Sequence, residues 1–220
     1  MKLAALVPLN SRIQAKTRLA SVLDPRGRAE LARWLALRVL NALRAAPITH
    51  LAVISPDDEI LRWAWQNGAQ DLRQRGSGLN AALDLGKAWA LRREADALLV
   101  ALGDLPLLTA DDVNALVGAS EATPTPDAPS VTIAPDRAET GTNLLVLRPA
   151  TAIPFAFGVD SLARHSALAR DAGIEPHIVR LPGAAFDVDT PADLDELAER
   201  GLWSPVSAST YPHRWAGEAS

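Results

Sequence analysis

The chain contains no cysteine, which excludes disulfides and thiolate metal sites. It has no apolar run near the roughly 20 residues that a membrane span needs. The N-terminus carries a single Lys2 before a short apolar run that ends at Pro8, which is not the layout of a signal peptide. The glycine-rich pattern GxxxxGK[ST] of a P-loop is absent, and so is the GxGxxG fingerprint of nicotinamide and flavin binders. No DNA- or RNA-binding motif is present and the pI is about 5.6, so nucleic acid is not an expected partner. No Ser-His-Asp or Cys-His nucleophile set stands out. These absences point to a cytoplasmic protein without a membrane partner.

What remains is ordinary in bulk and uneven in detail. The 220 residues are 48% hydrophobic and 22% charged, which suits one soluble domain with a substantial core. Net charge is −4, but residues 1–50 hold nine Lys/Arg against two Asp/Glu, a local +7 that leaves −11 for the rest. A basic first quarter suits a polyanionic ligand such as a nucleoside triphosphate. Arg26, Arg28, Arg33, Arg38 and Arg44 fall within an expected helix and are equally explained as its solvated face. Lys2, Arg12, Lys16 and Arg18 lie mostly in a loop and are more suggestive.

The pattern along the chain alternates between strands and helices. Ala97–Leu102 is an unbroken apolar run, expected as a strand buried on both faces, and it ends at Gly103-Asp104 before Pro106. In an open α/β sheet, ligands bind at the carboxyl ends of such strands. Upstream, Lys2–Val7 reads as a short strand closed by Pro8, followed by the basic segment Asn10–Leu19. A helix is expected from about Pro25 to Ala45 and a strand over His50–Ile54, which ends at Ser55-Pro56. A second helix ends at Gly68. The turn Gly76-Ser77-Gly78-Leu79-Asn80 opens a third helix that runs to about Arg93. Its backbone amides suit an anion or a purine edge, although glycine and asparagine punctuate many plain loops.

Beyond the central strand, Thr109 and Asp112 form a capping box. Residues 120–130 read as a surface linker. Strands are expected over Ser130–Ala134, Leu144–Leu147 and His177–Leu181, and a helix carrying His165 follows Gly158-Val159-Asp160-Ser161. Thr190, Pro191 and Asp193 open the last helix. The repeated βα steps imply parallel pairing with right-handed crossovers. One domain over residues 1–200 is expected. The tail 201–220 shows no periodicity and is left to pack on the body or on the second subunit of a homodimer.

Three carboxylates, Asp104, Asp187 and Asp189, occupy loop positions after apolar segments. Mg²⁺ favours one or two carboxylates together with phosphate oxygens and water, and an Asp-x-Asp pair plus a distant Gly-Asp suits it. The plain alternative is that Asp187 and Asp189 only favour the following helix N-terminus. Thr140-Gly141-Thr142 and Gly158–Ser161 supply hydroxyls and backbone amides for a second anion. His165 is placed to reach that anion or to sit at the core edge. Trp34, Trp63, Trp65 and Trp89 lie on helices and are read as packing residues.

A set of motifs then occurs in one order: Ala15-Lys16-Thr17-Arg18-Leu19, Gly78-Leu79-Asn80-Ala81-Ala82, Gly103-Asp104-Leu105-Pro106-Leu107, Ala134-Pro135-Asp136-Arg137, Thr140-Gly141-Thr142-Asn143, Phe157-Gly158-Val159-Asp160-Ser161 and Asp187-Val188-Asp189-Thr190-Pro191-Ala192-Asp193-Leu194. Over residues 3–200 this set closely resembles the 2-phospho-L-lactate guanylyltransferase family of coenzyme F-420 biosynthesis. The resemblance implies a Rossmann-like α/β domain, with a mostly parallel mixed sheet flanked by helices in the GT-A-type nucleotidyltransferase fold. It implies transfer of GMP from GTP to a small phosphorylated carboxylic acid with release of diphosphate. The family's acids are 2-phospho-L-lactate, phosphoenolpyruvate and 3-phospho-D-glycerate.

By the same resemblance, Asp104, Asp187 and Asp189 would hold Mg²⁺, with Asp104, Lys16 and Arg12 as the catalytic set. Pro8, Arg12, Lys16, Ser55, Gly78, Leu79 and Asn80 would bind the nucleotide, and Thr142, Gly158 and Ser161 the phospho-acid. Two positions depart from relatives. Asn10 stands where they often carry lysine, and Glu139 stands where they often carry glycine, which puts an acidic group near the proposed phospho-acid site. Two other readings stay open: another nucleotidyltransferase of this fold, of molybdopterin or sugar-phosphate type, and a non-catalytic nucleotide-binding protein.

Overall fold

A computed structural model describes residues 1–11, 16–123, 125 and 128–203. Strands β1 (Leu3–Pro8), β2 (His50–Ser55), β3 (Gln70–Arg73), β4 (Ala97–Ala101), β5 (Ser130–Pro135), β6 (Thr142–Arg148) and β7 (His177–Ile178) form a seven-stranded sheet in the order β3-β2-β1-β4-β6-β5-β7. β1, β2, β3 and β4 run parallel. β6 is antiparallel to both β4 and β5, and β7 is parallel to β5. The helices are α1 (Pro25–Ala45), α2 (Asp58–Gln66), α3 (Leu79–Arg92), α4 (Ala110–Glu121), α5 (Ser161–Asp171), α6 (Pro182–Ala185) and α7 (Pro191–Glu199), with a 3₁₀ turn at Thr17–Leu19. The expected mixed, mostly parallel sheet flanked by helices is the architecture observed. No described helix is long and apolar enough to cross a membrane.

Because successive side chains of a strand point to opposite faces, the apolar runs of β1 and β4 feed two separate cores. Leu3, Ala5, Val7, Ala97, Leu99 and Ala101 join α1, α2 and α4 on one side. Ala4, Leu6, Leu98 and Val100 join α3 and α5 on the other. A third cluster matters most for function: Leu19, Leu31, Leu35, Phe186, Val188 and Leu197 join the 3₁₀ turn, α1 and the approach to α7.

The structure departs from the sequence reading at the sheet's edges. β3 (Gln-Asp-Leu-Arg) was absent from that reading, because a four-residue edge strand with one buried side chain shows no apolar run. β6 begins at Thr142 rather than Leu144, so Thr142 and Asn143 belong to a strand and not to a turn. The last strand is two residues long and is followed by α6 where His177–Leu181 was expected to extend. Leu202 and Trp203 pack into the third cluster. Residues 204–220 of the tail lie outside the described residues.

Candidate active site

Every strand that contributes to the site ends at one edge of the sheet. The carboxyl ends of β1, β2 and β4 carry Pro8, Ser55 and the Leu102-Gly103-Asp104 exit. β6 is antiparallel to β4, with Ala101 opposite Leu144, so its amino end brings Thr142 and Asn143 to the same edge. The Leu102 N–H donates to the Asn143 carbonyl at 3.1 Å and ties the two together.

Asp187 and Asp189 arrive from a more distant stretch, and packing sets their direction. Phe186 and Val188 are buried in the third cluster while the carboxylates between and after them are only part-buried. Phe186 is also held between the guanidinium groups of Arg137 and Arg200, at 4.8 and 5.6 Å from its ring. The Val188 N–H donates to the Asp104 carbonyl at 3.3 Å, fixing this segment beside the β4 exit. The capping box of Thr190 and Asp193 then starts α7 immediately after Asp189.

Lys16 joins the carboxylates. Its Nζ donates to Asp104 Oδ2 at 2.7 Å and to Asp189 Oδ1 at 3.0 Å, while Arg18 donates to Asp189 Oδ2 at 3.2 Å. Lys16 has a left-handed backbone, with φ 47° and ψ 48°, an uncommon conformation for a residue with a side chain. Burial works against its charge, but Asp104 and Asp189 outweigh that and raise its pKa above the usual lysine range. Asp187 is pushed up by burial and by the negative charge of Asp104 and Asp189; a hydrogen bond from Asn143 at 3.4 Å opposes the rise. Asp104 Oδ1 is buried with no hydrogen-bond partner. Among the described residues no three His, Cys, Asp or Glu side chains stand grouped as a metal site, since the Lys16 ammonium lies between Asp104 and Asp189.

A cleft of about 720 Å³ opens above this cluster. Of the residues expected to bind nucleotide, Pro8, Lys16, Gly78 and Leu79 line it; of the expected metal ligands, Asp104 and Asp189 line it and Asp187 does not. Asn10, Arg18, Arg33 and Trp63 line it as well. Arg33 and Trp63 were missed as site residues because their helical spacing marked them as a helix face and a packing residue. Arg12 lies outside the described residues. Gly78 starts α3 at φ +95°, a conformation that favours glycine.

Two of the expected nucleotide contacts point elsewhere. Ser55 is fully buried, and its Oγ accepts the Asp57 N–H at 3.2 Å beneath the cleft. Asn80 spends both ends of its amide on one residue: Nδ2 donates to the Phe157 carbonyl at 3.1 Å and Oδ1 accepts the Phe157 N–H at 2.9 Å. It therefore fastens α3 to the residue before Gly158.

Thr142, Gly158 and Ser161 come together beside the cleft. The Thr142 N–H donates to Ser161 Oγ at 2.9 Å, and the Ser161 N–H donates to the Gly158 carbonyl at 3.2 Å. Gly158 has φ +121° and Asp160 φ 53°, so two left-handed residues turn the chain into α5. His165 is fully buried, with burial and Arg164 holding its pKa down to about 4. Glu139 does not face this group: its carboxylate binds Arg180 through Nε at 2.6 Å and NH2 at 3.0 Å. Its φ of 55° suits the glycine noted in relatives.

A mixed sheet with a cleft at its carboxyl edge, lined by Lys16, Asp104 and Asp189, with Asp187 and a second turn beside it, is the architecture of a nucleotidyltransferase. The fold agrees: a nucleotidyl transferase from Methanothermobacter superposes with a TM-score of 0.67 at 16% identity, covering 91% of this chain and 98% of that one. Residues 3–203 match the guanylyl transferase CofC-like family, and the chain belongs to it. A phosphoenolpyruvate guanylyltransferase of Sphaerobacter thermophilus is 46% identical over 211 residues, covering 96% of this chain and 98% of that protein. A 3-phospho-D-glycerate guanylyltransferase of Colwellia psychrerythraea is 31% identical over 208 residues, covering 94% and 95%. The chain is thus an enzyme of the guanylyltransferase kind.

Proposed function

We propose that this chain transfers GMP from GTP to phosphoenolpyruvate, releasing diphosphate, in the branch of metabolism that assembles coenzyme F-420. The observation that carries this reading is the juxtaposition at one sheet edge of a cleft lined by Lys16, Asp104 and Asp189 and the Thr142–Gly158–Ser161 group, with Asp187 tied to Asn143 next to Thr142. The phosphoenolpyruvate guanylyltransferase at 46% identity supports this acid over 3-phospho-D-glycerate, whose enzyme is at 31%.

Lys16, Arg18 and Arg33 supply positive charge to the cleft, where the triphosphate would lie against the Gly78-Leu79 turn. A phosphate oxygen of the acid attacks the α-phosphorus of GTP. A new P–O–P bond forms, and the bond to the departing diphosphate breaks. No general base is needed, because a phosphate monoester is mostly dianionic at pH 7, its second pKa being about 6. Positioning and charge neutralisation then carry the step. The donor set fits a divalent cation: Asp104 Oδ1 is buried without a partner, and Asp187 feels the negative charge of Asp104 and Asp189. Asp104, Asp187 and Asp189 would hold Mg²⁺, which when bound neutralises phosphate charge.

The test is diphosphate release with Mg²⁺, crossing the four nucleoside triphosphates with the three acids. GTP with phosphoenolpyruvate is expected to give the highest kcat/KM. No turnover with GTP and any of the acids would overturn the proposal, and a preference for another acid would correct its final term.

A further inference from the structure

The hydrogen bonds around His165 fix which atoms carry protons. His165 Nε2 accepts the Ala156 N–H at 3.0 Å, and Nδ1 lies 3.0 Å from Thr142 Oγ1. A ring nitrogen that accepts an N–H must present a lone pair, so the ring is neutral and its single proton is on Nδ1. Nδ1–H then donates to Thr142 Oγ1, and the hydroxyl's own proton must point elsewhere. Ser161 Oγ is in the same position, because it already accepts the Thr142 N–H at 2.9 Å. Among the described residues no carbonyl or carboxylate accepts from either hydroxyl, although both residues are buried. Two O–H donors are thus left beside the Gly158 turn with nothing among the described residues to receive them, and a buried donor without a partner is costly.

We propose that His165 is a positioning residue that commits the Thr142 hydroxyl to donate outward, so that Thr142 and Ser161 present a paired donor set to the oxyanion oxygens of the phospho-acid. The proposal deepens the reading of Thr142, Gly158 and Ser161 as the phospho-acid site and rests on it. Several contacts keep the device in place. The Phe157 ring meets the imidazole edge-on at 4.8 Å between centroids. Asn80 holds the Phe157 backbone from the other side. With its pKa held near 4, the ring stays neutral at the pH where a phosphate monoester is dianionic. A charged imidazolium would carry a proton on Nε2 facing the Ala156 N–H, and the arrangement would break.

Two measurements test this. The first is ¹⁵N spectroscopy of the histidine-labelled full chain, which has four histidines. His165 is expected as the Nδ1-protonated neutral tautomer at pH 7. An Nε2-protonated or doubly protonated ring overturns the proposal without reference to turnover. Its failure is therefore separate from that of the guanylyl-transfer reading, which shows as no diphosphate release by the unmodified chain. The second compares His165→Asn, which keeps an N–H near the position of Nδ1, with His165→Leu, which keeps none. His165→Leu is expected to raise KM for the acid about tenfold or more while KM for GTP stays unchanged. His165→Asn should recover most of that loss. Equal impairment in both variants, or a parallel rise in both KM values, would assign His165 a merely structural role and overturn the proposal.

Discussion

Lys16 holds together two carboxylates that would otherwise repel each other, and it does so from 88 and 173 residues away in sequence. Its removal should therefore show in stability as well as in catalysis. In Lys16→Met, Asp104 and Asp189 lose their shared cation beside Asp187, and among the described residues exposed Arg18 still pairs with Asp189. Breaking a fully buried pair costs about 3–5 kcal/mol, and partial exposure of the two aspartates brings the expected loss nearer ~1–3 kcal/mol. Urea unfolding without divalent cation measures it. Added Mg²⁺ should then stabilise the variant more than the unmodified chain, because the lysine no longer competes for the carboxylates. An equal Mg²⁺ effect in both would show that Lys16 and the cation do not share partners. At this scale the candidate carboxylates and Lys16 were legible in the sequence, since each follows an apolar run or sits in a basic loop. The true partners of Asn80, Ser55, His165 and Glu139 were not. An amide, a hydroxyl or an imidazole looks the same in sequence whether it faces a ligand or bonds back to the body, as Asn80 does to Phe157.

Elements with unbroken apolar runs or capping boxes were the readable ones. β1, β4, α4 and α7 all begin and end close to where the pattern placed them. β3 was invisible because an edge strand needs only one buried face, and its single buried residue is Leu72. The packing of α3 on the sheet was equally hidden, and it rests on one glycine. A Cβ built on Gly86 would lie 2.4 Å from Leu6 Cδ1, and Leu6 is fully buried within β1. Alanine is better than glycine in a helix interior by about 1 kcal/mol. Overpacking a filled core costs about 1–3 kcal/mol. Leu6 is fully buried, so the second effect should win, and Gly86→Ala is expected to lower stability by up to ~2 kcal/mol. Chemical denaturation would read this as a lower midpoint at unchanged slope. A rise in the midpoint would mean that α3 can shift off β1, and the Gly78 turn at its head would no longer count as rigidly placed.

Across the whole molecule, the uneven charge of the sequence becomes a spatial arrangement. The basic first quarter contributes Lys16, Arg18 and Arg33 to the cleft. The acidic remainder contributes Asp104 and Asp189. They meet because β1 and β4 are neighbours in the sheet although more than ninety residues separate them. The antiparallel entry of β6 then sets Thr142, with Gly158 and Ser161, beside the cleft rather than inside it, since none of the three lines the cleft. This order was not legible from strand propensities alone, because which strands become neighbours is decided by crossovers and not by any local run of residues. The separation has a measurable consequence. If the nucleotide occupies the β1–β4 cleft alone, binding of GTP with Mg²⁺ should not depend on the Thr142–Ser161 group. A ligand at about a hundred times its Kd stabilises by ~2.7 kcal/mol, which for a chain of this size moves Tm by roughly 5–10 °C. Ser161→Ala should retain that GTP-induced shift within about a degree while its KM for the acid rises, since only one hydroxyl donor is lost. Lys16→Met should lose most of the shift, because its ammonium sits on the floor of the cleft. Loss of the GTP shift in Ser161→Ala would mean that nucleotide and acid share one site, and the assignment of the two groups to two substrates would have to be abandoned.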